Sequence, residues 1–142
     1  MRFMLLVKAS KESEAGVLPS MELLAAMGTF NEEMVRAGVM LAGEGLQASS
    51  KGSRVKFEGG EPRVTEGPFA ATEELVSGFW MIEVKSRAEA VQWAARVPFI
   101  EGEIEVRQVF EASDFPADLF PPEEAAREQA LRDELQKKTT GR

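Results

Sequence analysis

The sequence contains no cysteine and no histidine. Their absence removes thiolate and imidazole nucleophiles, Ser-His-Asp machinery, zinc sites of the usual ligand set and haem held by His or Cys. A metal would have to be a hard cation on Asp, Glu and backbone oxygen, and no D-x-D-x-D-G spacing occurs, so neither metal nor cofactor is expected. Also missing is any apolar run near the roughly 18 residues that span a bilayer. The opening stretch from Met1 to Ala9 turns charged at Lys8 and has no cleavage-like tail. No membrane association is therefore expected. A cytoplasmic location is expected from the missing signal alone, because lack of cysteine fits any redox compartment.

What is present is enough for one substantial core: 142 residues, 44% of them apolar and 29% charged. Acids outnumber bases by 24 to 17, a formal charge of −7. From Pro121 onward five acids meet five bases, so the surplus lies in the first 120 residues. Such a field repels phosphate backbones, and no basic stripe interleaved with aromatics offsets it, so nucleic acid is not an expected partner.

Arg2 to Val7 is a nearly unbroken apolar run, which predicts a central strand. Ser20 is placed to cap a helix whose buried stripe is Leu23, Met27, Phe30 and Met34, ending near Ala37 with Gly38 as terminator. Val39 to Leu41 is a short strand that enters a tight turn at Gly43-Glu44-Gly45. Arg54 to Glu58 and Arg63 to Thr65 form a hairpin around Gly59-Gly60. Gly78 to Val84 is a further apolar strand. The spacing of Ser86 and Glu89 predicts a capping box, opening a helix bounded by Pro98 with Ala90, Val91, Ala94 and Val97 on its buried side. Glu103 to Phe110 alternates, with Ile104, Val106 and Phe110 on one face and Glu103, Glu105 and Arg107 on the other. After a linker, Glu123 to Lys138 reads as a helix whose thin stripe is Ala126, Ala130, Leu131 and Leu135. A helix this thin is expected to dock on its own domain or on a partner subunit.

The expected class is α+β: a ferredoxin-like split βαβ sheet with an inserted hairpin and a C-terminal helix. The sheet face away from the helices would then be too apolar for water. Stacking it against the same face of a second subunit predicts a homodimer.

Glu66-Gly67-Pro68-Phe69-Ala70-Ala71-Thr72-Glu73-Glu74, followed by Val76-Ser77-Gly78-Phe79-Trp80, resembles the DGPF motif (DGPFAETKE) of the YCII-related family. Gly43-Glu44-Gly45-Leu46 with Ser49-Ser50, the opening Met-Arg-Phe-Met-Leu-Leu-Val-Lys-Ala, and Ile104-Glu105-Val106-Arg107 resemble the same family in matching order. The likeness runs from Met1 to about Phe115, so residues 1–115 are expected to form the domain and 116–142 a linker and helix. It implies a dimeric α/β barrel and little about activity. The motif's Asp is Glu66 here, its Glu is Ala71 and its Lys is Glu73. The His-Asp pair proposed as catalytic in smaller members of the family is absent, with Val97 standing before Pro98 where the acid would be.

Three readings of function stand side by side, the plainest a structural dimer whose cavity is closed. In the first, a cavity between sheets binds a small organic ligand, with Glu66 as acid or base. Lys8 and Arg107 stabilise an anion, Glu44 and Glu74 add carboxylates, and Phe69 with Trp80 form walls. In the second, the chain is a non-catalytic regulatory or interaction module that contacts a basic protein partner. Relatives in the DGPF branch, associated with sigma-factor genes, imply a link to transcription. Plain alternatives accompany each residue: a Gly-Pro turn plugged by Phe69, a solvated Glu74, a cross-strand ion pair at Arg107, and core roles for Trp80 and Trp93.

Overall fold

The computed structural model describes residues 1–140, with side chains described through residue 138. The described chain divides into two compact units, one over Met1–Val109 and one from Phe110 onward. The first contains strands β1 (Arg2–Lys8), β2 (Met40–Gly45), β3 (Ser53–Glu58), β4 (Glu61–Glu66), β5 (Val76–Glu83) and β6 (Ile104–Gln108). Its helices are the single turn α1 (Lys11–Glu14), α2 (Met21–Arg36) and α3 (Arg87–Ala95).

Four strands form an antiparallel sheet in the order β2-β5-β1-β6, while β3 and β4 pair apart from it as the expected hairpin. The architecture is α+β and consistent with a ferredoxin-like fold, with an open rather than closed sheet. Pairing sets the faces, because residues opposite one another across an antiparallel ladder point the same way. Phe3 aligns with Ile82, Leu5 with Trp80 and Val106, and Val7 with Gly78 and Ile104. These meet the helices: Phe3, Leu5, Trp80 and Ile82 join Phe30 and Met34 of α2 and Ala90 of α3 in one buried cluster. Burying each large apolar side chain contributes about 1.5–3 kcal/mol, so this layer supplies most of the unit's driving force.

The start and stop of α2 follow from local chemistry. Ser20 Oγ accepts the Leu23 N–H at 3.1 Å. At the other end Gly38 takes φ +72°, a conformation that costs other residues energy, and the Val39 N–H returns to the Met34 carbonyl at 3.0 Å. The Leu23–Met27–Phe30–Met34 stripe is the face turned inward, with Phe30 and Met34 buried.

Several local expectations are corrected. Gly43 and Glu44 lie within β2 rather than in a turn, and Gly43 is where it is because a β-carbon there would meet Trp80 Cδ1 at 2.7 Å. Half of the Ser86 capping box forms: Ser86 Oγ accepts the Glu89 N–H, but the Glu89 carboxylate reaches past Ser86 to the Lys85 N–H at 3.0 Å. Val91 is exposed, and Trp93 takes the inward position instead. Phe110 lies beyond β6, which ends at Gln108.

In the second unit, Phe110, Phe115 and Phe120 form a chain of rings with centroids 5.0 and 5.8 Å apart. Helix α4 (Pro122–Thr140) has acids in its first turn and lysines in its last, and its Leu131 and Leu135 are exposed. The last two residues of the expected 116–142 segment lie outside the described range.

Candidate functional site

The second face of the sheet gathers several of the expected site residues. Met4, Leu6, Phe79 and Met81 occupy it, all partly exposed and none part of the buried cluster. One row across this face reads Glu44, Phe79, Leu6 and Glu105, and the next row places Met81, Met4 and Arg107 side by side. With strands about 4.8 Å apart, Glu44 and Glu105 stand roughly 14 Å from one another across an apolar floor.

At the β6 margin a charged cluster forms. Lys8 Nζ lies 3.4 Å from Glu105 Oε1, and Arg107 Nη1 donates to Glu105 Oε2 at 3.0 Å. Arg107 first, then Lys8, holds the Glu105 carboxyl below its ordinary value of 4.5. Two cations share one carboxylate, so the cluster keeps a net positive charge beside an apolar surface. Glu44, at the opposite margin, is exposed and has no ion pair among the described residues.

A second junction ties the loops at one end of the sheet together. The Glu14 carboxylate accepts both the Ser49 N–H, at 2.8 Å, and the Ser49 hydroxyl, and Ser49 Oγ in turn accepts the Phe69 N–H at 3.0 Å. These bonds, the hydroxyl's first, hold Glu14 below its ordinary value of 4.5. Gly67 donates to the Gly52 carbonyl at 2.9 Å, the Gly67–Pro68 bond is cis, and the Arg54 guanidinium sits 4.0 Å above the Phe69 ring.

The predicted residues thus separate into groups. Lys8, Glu44 and Arg107 share the open face. Phe69 belongs to the Ser49 junction as a partly buried ring. Glu66 closes β4, exposed, and accepts the Ser53 hydroxyl at 2.7 Å, while Glu74 is exposed in the 3-10 turn Thr72–Glu74. Trp80 points to the other side of the sheet: it is buried, packs edge-on to Phe30 at 5.6 Å, and donates its indole N–H to Asn31 Oδ1 at 2.9 Å. Its place beside Glu66 as a wall is replaced by a core role, because β5 alternates and Phe79 takes the open face. Sequence reasoning missed Glu105 as the hub of the cluster, although its alternation with Arg107 was visible. It also missed Glu14 and Ser49, whose separation of 35 residues hides the contact.

Among the described residues no cluster of three or more acids is placed to hold a metal ion, and no helix is long and apolar enough to cross a membrane.

An open antiparallel sheet with helices on one face and a charged, apolar-floored second face defines a small α+β domain. The chain belongs to the YCII-related family, whose domain is matched over residues 1–113. No curated protein matches it. Among solved structures it is similar to the 5-chloro-2-hydroxyhydroquinone dehydrochlorinase of Burkholderia phenoliruptrix AC1100, in complex with 2,5-dihydroxybenzoquinone. The identity is 13% and the TM-score 0.40, covering 82% of this chain and 100% of that one. At that distance the likeness carries nothing about activity.

Proposed function

We propose that the chain is a cytoplasmic homodimer of the DGPF branch that binds a small organic acid between two facing sheets. The observation that carries this reading is the Lys8–Glu105–Arg107 cluster at the margin of the Leu6 and Phe79 floor. A ligand carboxylate or enolate would share the two cations with Glu105, and its carbon skeleton would lie on the floor. Apposing a second copy would remove Met4, Leu6, Phe79 and Met81 from water and make the cluster's charge act in a less polar medium. In this reading Glu44, on the same face and without an ion pair among the described residues, is the carboxylate available for proton transfer. The reading assigns binding and no particular reaction.

The test is equilibrium binding of a panel of small aliphatic and aromatic acids to the wild type, Arg107→Glu and Lys8→Glu. An acid that binds the wild type and loses at least about tenfold in affinity in both variants supports the assignment. Equal affinity in all three proteins would refute it.

A further inference from the structure

The helical side of the first unit carries a separate feature, facing away from the open sheet. A groove of about 600 Å³ runs between the start of α2 and the loop after α3, lined by apolar Leu23, Phe99 and Ile100 and by the carboxylates Glu22 and Glu101, with no base in its lining. Ile100 of this lining is the most exposed large apolar side chain of the described chain, at 99%, and Leu18 and Met21, at 84% and 83%, lie close to the groove in sequence without lining it. None of these three takes part in the buried cluster, so the fold derives no core stability from them. Large exposed apolar groups rimmed by charge of one sign mark a docking surface.

We propose that this groove docks an amphipathic, basic segment of a partner protein, with apolar anchors against Ile100, Leu23 and Phe99 and lysines or arginines against Glu22 and Glu101. Charge complementarity selects the occupant. Glu22 and Glu101, with no base beside them in the lining, favour a cationic occupant and repel an anionic membrane surface. The surface lies behind the sheet, so it stays free whether or not two copies face one another.

The test uses the full chain and two fluorescent 16-residue probes of identical helical pattern, one of leucine and lysine and one of leucine and glutamate. Anisotropy should show saturable one-to-one binding of the basic probe and none of the acidic one. Losing one deep apolar anchor corresponds to roughly tenfold in Kd. Ile100→Glu should weaken the basic probe by about that factor, and Glu22→Lys with Glu101→Lys should abolish its binding. Val35→Glu, at an exposed apolar position near the other end of α2, should leave affinity unchanged. All these positions are exposed, and unchanged circular dichroism melts will confirm folding. Equal loss in Val35→Glu, or no loss in Ile100→Glu, would mean diffuse attraction to an acidic protein and overturn the proposal. Self-association of the wild type that Ile100→Glu removes, or its binding to phosphatidylglycerol vesicles, would overturn it in favour of a second copy or a membrane.

Discussion

Replacing Gly67 by alanine puts the loop junction to a quantitative test. A β-carbon built on Gly67 lies 1.8 Å from the Ser49 carbonyl oxygen, 2.7 Å from the Ser49 carbonyl carbon and 3.3 Å from the Gly52 oxygen. All three are backbone atoms, so no rotamer change relieves the contact. The loops must separate by more than an ångström. That movement breaks the Gly67 N–H bond to Gly52 and the Phe69 N–H bond to Ser49, and loosens the Ser49 N–H bond to Glu14, which are 2.9, 3.0 and 2.8 Å long. At about 1 kcal/mol each the loss is about 2–3 kcal/mol, which lowers the melting temperature by roughly 8–12 °C for a domain of this size. Gly45→Ala is the control, because nothing lies within 4 Å of its added carbon. It should leave the melt unchanged or raise it by the roughly 0.4–1 kcal/mol that a less flexible unfolded chain supplies. Thermal unfolding followed by circular dichroism, with hydrogen exchange at the Phe69 amide, reads both effects. A Gly67→Ala protein melting within about 1 °C of wild type, its Phe69 amide still protected, would refute the close approach of these loops.

Glu14 and Glu105 both have folded-state pKa values lowered from 4.5, so their contribution to stability is complete above that value and is lost as pH falls through the lowered one. Melting temperature should therefore fall in the acid range below about 4.5, and Glu14→Gln with Glu105→Gln should flatten that limb; an unchanged acid limb would contradict the assignment. Asn31→Ala should destabilise by about 1–3 kcal/mol in urea unfolding, because it leaves the buried Trp80 indole N–H without its acceptor. A loss below roughly 0.5 kcal/mol would mean another group takes over that bond.

Elements whose cause is local were legible in the sequence. The α2 stripe, its Ser20 cap and its Gly38 terminator act over a few residues, and so does the hairpin. The misreadings arise where tertiary contact decides. Two glycines at Gly43 and Gly45 look like a turn until Trp80, 37 positions on, is seen to fill the space that a side chain at 43 would need. Helix α1 has no apolar stripe at all; a reciprocal Ser10–Ser13 cap holds it, a pattern that polar loops also contain. On α3 nothing in the spacing told Val91 from Trp93 as the inward residue, since both are apolar and only the sheet beneath selects one. For the site, Lys8, Glu44 and Arg107 were picked for their residue types, and register places them on one face. Trp80 fell on the other face because strand parity, not residue type, decides which way a side chain points.

In the proposed assembly the Leu6 and Phe79 face closes against a second copy around a small acid. Native mass spectrometry of the purified wild type and of Phe79→Glu tests it most directly. The account predicts a wild-type dimer, with a small acidic molecule retained or accepted on titration, and a bare monomer once a charge stands at position 79. A wild type that flies as a monomer, or a Phe79→Glu protein that stays dimeric, would contradict it.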